Sequence, residues 1–243
     1  MTSALANQLM ASLPEEAYRQ WAAQLHVVDM RLGDVLHESG GPVSHVYFPT
    51  TGIVSLLSIL ESGASAEVAV VGNEGMVGVF ALMGGNSTPN QSVVRSAGRA
   101  YRMPAAALAK TFDQGGTVAQ QMLLYTQALM TQIAQTAVCN RHHHLDQRLC
   151  RLLLFSLDRL DSHEIWMTQA LICNMLGVRR EGVTTAALAL QKAGLIRYQR
   201  GHISVVDRPA LEERSCECYA VVRKEYTRLL SGEPWHKASA SAR

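Results

Sequence analysis

Five side chains that can hydrogen-bond to nucleic-acid bases lie close together in the chain: Arg179, Arg180, Glu181, Thr184 and Thr185. An arginine can donate two parallel hydrogen bonds to guanine O6 and N7, and a glutamate can accept one from cytosine N4. A threonine can contact a thymine methyl group or a phosphate. Because a charged cluster is more often an ordinary solvated helix face, the neighbouring residues decide between the two interpretations.

The cluster belongs to a segment with the spacing of a helix-turn-helix. Thr168 can cap a first helix with its hydroxyl, and Gly177 can end that helix because glycine tolerates the left-handed conformation. Cys173 is small enough to let two helices approach closely, and Val183 packs back between them. The apolar side chains predicted to face inward on the second helix are Val183, Ala187, Leu188 and Leu190.

A hairpin with a glycine at its tip follows the second helix. Residues 194–206 are predicted to form two strands around Gly201, a wing whose tip residues can contact the sugar-phosphate backbone. The helix-turn-helix, the wing and the charged cluster together favour DNA binding over a helical core with incidental charges. The predicted DNA-binding residues are Thr168, Gln169, Arg179, Arg180, Glu181, Thr184, Thr185, Arg200 and His202.

One long helix is predicted ahead of this segment. Residues 117–143 contain no Gly, no Pro and no charge before Arg141, which predicts a helix of about 40 Å. A heptad-like seam on it predicts pairing with a second copy of the chain, with burial inside a monomer as the alternative. An adjacent stripe holds Leu123, Met130 and Ile133. The predicted dimerisation residues are Val118, Met122, Tyr125, Leu129, Gln132 and Thr136.

The first 116 residues have the pattern of a small β-domain. Short apolar or alternating runs, such as His45–Phe48 and Ile53–Leu60, are separated by turn clusters rich in Gly, Ser and Pro. The predicted fold class is α+β: an N-terminal double-stranded β-helix resembling a jelly roll, a long dimerisation helix and a C-terminal winged helix-turn-helix. The predicted boundaries are 1–116, 117–144, 145–231 and a flexible tail at 232–243.

Composition limits the other possibilities. The chain has 243 residues, of which 48% are hydrophobic and 17% charged, so it can bury a core. The net charge is +2, but residues 141–231 hold 14 Lys+Arg against 10 Asp+Glu, so a polyanion would bind there. No membrane span or signal peptide is predicted. Five cysteines, all after residue 138, make a poor disulfide framework and predict a cytoplasmic protein.

The order of these parts resembles the Crp/Fnr family of bacterial transcription regulators over about residues 10–225. The resemblance implies a β-roll of the cyclic-nucleotide-binding type, a homodimer on an inverted-repeat operator in double-stranded DNA, and RNA polymerase as a partner. Arg180 and Glu181 match the family's Arg-Glu pair, and Thr168 matches its phosphate-contacting threonine. Thr185 stands where the family typically has a third base-reading arginine, which implies a different DNA sequence.

The same resemblance argues against cyclic AMP as the effector. Gly75–Phe80 is similar to the family's phosphate cassette, but Met76 replaces the glutamate that would hold a ribose hydroxyl. Asn90 replaces the arginine that would pair with the phosphate, whose burial requires a cation. The effector stays unidentified. The residues of this pocket remnant are Gly72, Gly75, Met76, Gly78 and Asn90, of which the glycines are predicted to be turn residues.

No cofactor and no metal site is predicted. Cys139 could share a helix face with His142 or His143 as metal ligands, but this is the less favoured interpretation. Cys216 and Cys218 are predicted to diverge on a helix and to serve in packing, with redox sensing as the alternative.

Two other classes of protein stay open. The first is a metal-dependent cupin-like enzyme, although His26, His37 and His45 are too scattered for a His-x-His pair. The second is a signalling adaptor that uses its winged helix for protein contacts. The regulator is preferred because no nucleophile triad or phosphate-binding loop is found.

Overall fold

The computed structural model describes residues 6–160 and 164–230, so the predicted tail at 232–243 lies outside the described residues. The N-terminal part is a roll of antiparallel strands. They are β1 (His26–Met30), β2 (Val35–His37), β3 (His45–Pro49), β4 (Ile53–Ile59), β5 (Ser65–Val71), β6 (Gln91–Ser96) and β7 (Gly98–Pro104). One sheet has the order β1-β7-β3 and the other β2-β6-β4-β5. The predicted fold class is confirmed.

Alternating burial along the strands fills the space between these two sheets. In β3, Val46 and Phe48 are fully buried, and the Phe48 ring stacks on Trp21 with 6.4 Å between centroids. The short helices α1 (Gln8–Ala11) and α2 (Glu15–Trp21) close one end of the roll, and α3 (Ala105–Asp113) leads out of it. Apolar burial on this scale is the main stabilising contribution of the roll.

The long helix α4 (Gly116–His142) follows α3 and packs on the roll. It has the length predicted from the charge-free segment, 27 residues. A shorter helix, α5 (Leu145–Leu157), is buried along most of its length and begins the C-terminal part. In the described part of the chain, we find no helix that combines the length and the apolar character needed to cross a bilayer.

The C-terminal part is a winged helix-turn-helix. Strands β8 (Glu164–Trp166), β9 (Ile196–Gln199) and β10 (His202–Val205) form its sheet, in the order β8-β10-β9. Its helices are α6 (Gln169–Leu176), α7 (Arg180–Lys192), α8 (Arg208–Arg214) and α9 (Glu217–Leu230), of which α9 packs back on α4.

The roll and the C-terminal part are joined by a shared hydrophobic cluster, by one buried ion pair that crosses between them, and by a second buried pair within the roll that is hydrogen-bonded to α5. Ile53 and Val70 of the roll belong to the cluster that holds α5, α6 and α7 together. We call the buried polar groups between roll and α5 the inner junction. They are the Arg95–Glu67 pair at 3.0 Å, the Arg159–Glu74 pair at 2.7 Å, and Ser156, which accepts a 3.0 Å hydrogen bond from Arg95.

Candidate nucleic-acid interface

Local signals in the sequence place the two helices of the helix-turn-helix. The Thr168 hydroxyl accepts a 3.2 Å hydrogen bond from the Leu171 N–H and so caps the first turn of α6. Gly177 ends this helix in the left-handed conformation, with φ at 62°. Val183 is fully buried in the cluster shared with α6. The N-terminal end of α7 is thereby held outward.

The charged residues of α7 are exposed at that end. Arg179 is the N-cap, and Arg180 and Glu181 occupy the first turn, where the helix dipole favours the carboxylate. The Arg180 Nε donates a 3.1 Å hydrogen bond to the Gln169 side chain, which holds the guanidinium between the two helices. Arg180 and Glu181 therefore present a donor and an acceptor side by side.

The two threonines lie one turn further along α7. Their hydroxyls donate to the carbonyls of Arg180 and Glu181, at 3.0 Å for Thr184 and 2.9 Å for Thr185. These bonds fix the side-chain rotamers and leave the oxygens free to accept. Leu188, expected to face inward, is instead 57% exposed. It lies three residues after Thr185, and residues three apart share one face of a helix, so Leu188 is on the same outer face as Thr185.

The tip of the wing is a two-residue turn. Gln199 pairs with His202, so Arg200 and Gly201 form the loop, and both have positive φ, at 51° and 81°. This is the backbone of a type I′ hairpin, which matches the twist of the flanking strands. An arginine in the left-handed region costs about 1–2 kcal/mol, and the turn places its side chain at the exposed end of the wing.

A concave surface of about 350 Å³ lies between the wing and the starts of α6 and α7. Arg180 and Arg200 line it and give it a positive charge. Tyr198 also lines it, donates a 3.0 Å hydrogen bond to the Met167 carbonyl, and has its pKa raised by burial. We call this groove together with Glu181 the reading surface. The groove is lined by Thr168, Gln169, Ala170, Arg180, Tyr198, Arg200 and Gly201.

His202 and Trp166 lie beside the reading surface. The His202 Nε2 is 3.1 Å from a carboxylate oxygen of Glu164, and its ring is 4.6 Å from that of Trp166. The wing thus directs His202 toward β8 and not toward the tip. Trp166 is 70% exposed, and sequence reasoning missed it because the strand that carries it is only three residues long.

The glycines of the pocket remnant have two different roles. Gly78 has φ at +100° and is a turn residue as predicted. A Cβ on Gly75 would lie 2.2 Å from the Tyr125 ring, and one on Gly72 would lie 2.7 Å from Arg159 Cγ. Gly72 and Gly75 lie at the two ends of a turn, in which the Gly75 N–H donates a 3.2 Å hydrogen bond to the Gly72 carbonyl, and both are also points of close approach.

Of the two residues in the positions of the family's ligand-binding pair, Met76 is buried in the roll and Asn90 is hydrogen-bonded through its backbone. Met76 is 1% exposed, and its carbonyl accepts a 2.8 Å hydrogen bond from the Tyr125 hydroxyl. The Asn90 N–H donates to the Thr88 hydroxyl at 3.2 Å, and Thr88 donates back to the Asn90 carbonyl. The space beside the cassette is occupied by the aromatic ring of α4.

The seam predicted for dimerisation faces the chain's own roll and α9, which corrects that expectation. Gln132 is fully buried and exchanges hydrogen bonds of 2.9 and 3.2 Å with the backbone of Val70. A side chain already packed in its own subunit cannot form the surface for another. The exposed large apolar residues of α4 are Leu123, Met130 and Val138. The buried seam consists of Val118, Met122, Tyr125, Leu129, Gln132 and Thr136.

Comparison with protein families agrees with this architecture. Residues 27–137 match the model of the cyclic nucleotide-binding domain, and residues 147–214 match that of the Crp-like helix-turn-helix domain. These two domains in this order define a class of transcription regulators with a sensor-type roll and a helix-turn-helix DNA-binding domain. The chain belongs to the Crp/Fnr family. No curated protein sequence matches it significantly.

Three solved structures have the same fold. FixK2 from Bradyrhizobium japonicum matches with a TM-score of 0.66 and 17% identity over 79% of this chain and 98% of its own. The c-di-GMP responsive regulator CLP from Xanthomonas campestris matches at 0.65 and 14%, over 80% and 100%. The Crp/Fnr regulator TTHA1359 from Thermus thermophilus matches at 0.62 and 20%, over 78% and 98%.

Proposed function

We propose that this regulator binds an inverted-repeat operator as a homodimer, with one reading surface of each subunit in the major groove, and that it does not respond to cyclic AMP. The observation that carries the proposal is the exposed Arg180–Glu181 pair at the start of α7, beside a groove that Arg200 also lines. The N-terminal end of a recognition helix is the part that reaches base edges.

Each residue of the reading surface has a distinct task in this proposal. Arg180 donates to a guanine and Glu181 accepts from a cytosine, while Gln169 orients Arg180 through their hydrogen bond. Arg200 and Thr168 contact phosphates on either side of the groove. The further contacts proposed are Arg179, Thr184 and Thr185, whereas His202, predicted from the sequence, is directed toward Glu164 and Trp166 and is not proposed as a contact.

The dimer is proposed to form through the exposed stripe of α4. Leu123, Met130 and Val138 are each about half exposed or more, although they lie on a helix whose other face is buried. Large apolar side chains in a row on one helix are typical of a helix–helix contact. A two-fold axis at this stripe presents two reading surfaces, and their half-sites are expected roughly 34 Å apart.

The filled cassette supports the proposal about cyclic AMP. A buried phosphate requires a cation and amide donors to offset its desolvation, and Asn90 carries no charge. The Tyr125 ring lies where any side chain on Gly75 would have to go. RNA polymerase is proposed as a partner on the family resemblance, and the effector, if one binds, is of another chemical class.

Selection of bound sites from random duplex DNA, with purified full-length protein and no added ligand, tests the DNA proposal. We expect an inverted repeat to emerge. Arg180→Ala is then expected to weaken binding by about 1–3 kcal/mol and to relax preference at one base pair of each half-site. Lys224→Ala removes an exposed cation on α9 and is the matched control. Unchanged affinity of Arg180→Ala for the selected site would support the adaptor instead.

The oligomeric state tests the proposed dimer contact separately. Met130→Glu places a charge in the exposed stripe and is expected to convert a dimer to a monomer in analytical ultracentrifugation. Leu32→Glu, at a similarly exposed leucine of the roll, is expected to leave the dimer intact. A dimer that survives Met130→Glu, or a selected site without two-fold symmetry, would refute this contact.

A further inference from the structure

Three sulfur atoms and one imidazole meet where α4 ends and α9 begins. Cys139 and His143 come from the end of α4, and Cys216 and Cys218 come from the start of α9. Among the described residues, their ligand atoms all lie within 4.8 Å of one another. The three cysteines are buried as a cluster separate from the two hydrophobic cores, so they are grouped with one another and not with aliphatic side chains.

The distances in this cluster are those of a tetrahedral metal site. The Sγ atoms of Cys139 and Cys216 are 3.5 Å apart, and the Cys218 Sγ is 3.4 Å from the His143 Nδ1. Zinc bonds of about 2.3 Å to sulfur and about 2.0 Å to nitrogen place tetrahedral ligand atoms about 3.8 Å (S to S) and about 3.5 Å (S to N) apart. We propose that Cys139, His143, Cys216 and Cys218 bind a structural zinc ion.

The surroundings of the four ligands support this assignment. The His143 Nε2 lies 3.2 Å from the Glu217 carboxylate, so the carboxylate orients the ring and directs Nδ1 toward the sulfurs. The Gln135 amide donates a 3.1 Å hydrogen bond to the Cys218 sulfur. Carboxylate–histidine and amide–sulfur contacts of this kind are what outer residues of zinc sites supply.

Nearby arginines balance the charge that the four ligands would have with zinc bound. Zinc displaces the proton of each thiol it binds, so the ion with three thiolates and a neutral imidazole carries one negative charge. Arg148 and Arg151 on α5 lie close enough to Cys139 to interact with it electrostatically. These cations offset the negative charge of the occupied site.

The sequence alone predicts divergence of Cys216 and Cys218, and the structure shows why it does not occur. Cys216 precedes the first residue of α9, so the two cysteines do not share a regular helical turn. A disulfide explains the cluster less well. A Cys139–Cys216 bond of about 2.05 Å would involve only two of the four side chains and would not explain why Cys218 and His143 lie beside them. Cys150 behaves differently: it is buried among apolar groups, which raise its pKa to about 12.

Zinc at this position would hold two distant parts of the chain together. Its ligands connect the last turn of α4, directly before α5, to the junction of α8 and α9. Four protein ligands leave no open coordination position, so the ion has a structural and not a catalytic task. The angle between the long helix and the DNA-binding domain then depends on the metal.

The metal content of the full-length chain, purified under reducing conditions, tests the proposal. We expect one zinc per chain by mass spectrometry, and after exchange a cobalt spectrum with intense tetrahedral bands and sulfur-to-cobalt charge transfer. Cys218→Ser and Cys139→Ser are expected to lose the ion, while Cys173→Ser, a thiol on α6, keeps it. Glu217→Gln is expected to lower zinc affinity about 10–100-fold while keeping the four ligands.

A ligand swap keeps the test decisive if the serine variants do not fold. His143→Cys retains four ligands, so it is expected to bind one zinc and to show a cobalt charge-transfer band increased by the fourth sulfur. Failure of the wild type to retain zinc after incubation with the metal alone and dialysis would overturn the proposal. Full occupancy in Cys218→Ser, or a Cys139–Cys216 disulfide in protein freshly purified without reductant, would overturn it equally.

Discussion

The arginines of the inner junction and those of the reading surface have opposite environments. Arg95 and Arg159 are 2% and 5% exposed, and each forms an ion pair with a nearly buried glutamate. Arg180 and Arg200 are exposed, and Arg180 is held by a neutral amide that leaves its charge uncompensated. Arginine thus stabilises the packing of the roll against the C-terminal part at the inner junction, whereas at the reading surface its charge is left exposed to solvent.

This difference shows that the net charge of a segment does not reveal which of its charged side chains are free to bind a ligand. Residues 141–231 have an excess of basic residues, but several of their arginines are paired with carboxylates of the same chain. Arg208 pairs with Asp158 at 2.5 Å, and Arg214 pairs with Asp146 at 2.7 Å. Arg180 and Arg200, which are exposed, line the groove between the wing and the starts of α6 and α7, and the count alone does not locate them.

The largest expected effect is that of Arg95→Met on stability. Removing the guanidinium leaves the Glu67 carboxylate buried without its partner, which is expected to lower the free energy of unfolding by about 3–5 kcal/mol in urea denaturation. Arg99→Met, at an exposed arginine of β7, the next strand along the chain, is the control and should change the free energy of unfolding by less than about 0.5 kcal/mol. Equal effects of the two variants would contradict the claim that the buried arginine contributes more to stability than the exposed one.

Gly75→Ala tests whether the cassette is filled. The added methyl group would clash with the Tyr125 ring, and such overpacking is expected to lower the free energy of unfolding by about 1–3 kcal/mol. Gly85→Ala is the matched control, since its Cβ would meet nothing within 4 Å. If both variants unfold at the same urea concentration as the wild type, the cassette has room for a ligand.

Arg200→Ala tests an exposed arginine of the reading surface. We expect affinity for the selected operator and for random DNA to fall by the same factor, because a phosphate contact carries no sequence information. The slope of log affinity against log salt is expected to decrease by about 1, with stability changed by less than about 0.5 kcal/mol. A loss confined to the operator would instead make Arg200 a base-reading residue.

The smallest expected effect is a pH dependence within the roll. Burial lowers the pKa of His37 below its ordinary value, although its hydrogen bond to the His45 carbonyl acts in the opposite direction. Because the folded state binds the proton less readily, stability is present above about pH 6.5 and decreases as the pH falls below it. Urea denaturation midpoints at about pH 7.5 and about pH 5.5 measure this loss of stability.

A variant pair isolates the histidine responsible. His37→Gln is expected to flatten this decline, whereas His26→Gln, at an exposed position of β1, is expected to leave it unchanged. A decline of the same size in His37→Gln would assign the pH dependence to other groups.

Local signals in the sequence are sufficient where backbone chemistry fixes the structure. The cap at Thr168, the left-handed Gly177 and the hairpin turn at Gly201 can all be predicted from residue type and spacing, and the structure has each of them. They require contacts within a few residues along the chain. The fold class can be predicted because a long charge-free helix between a strand-rich part and a helix-turn-helix admits few arrangements.

Contacts between distant segments cannot be predicted in this way. Heptad spacing on α4 identifies a buried face but not its partner. Val118, Met122, Tyr125 and Leu129 pack on the chain's own roll, whereas Thr136 accepts a hydrogen bond from Arg151 of α5. The approach of Cys216 and Cys218 to Cys139 depends on how α9 docks on α4, which no local pattern encodes. The exposed stripe is visible in the sequence in part, at Leu123 and Met130, but the heptad spacing favours the other face.

The turn of the helix-turn-helix rests on the hairpin between β4 and β5. A Cβ on Gly177 would be 3.7 Å from that of Ala66, and α6 packs along β5. The DNA-binding domain therefore cannot tilt as a free unit, because any rotation about the end of α4 must slide its first helix across this hairpin. In the proposed dimer, the contact of α6 with this hairpin would therefore limit the orientations in which the two DNA-binding domains meet one duplex.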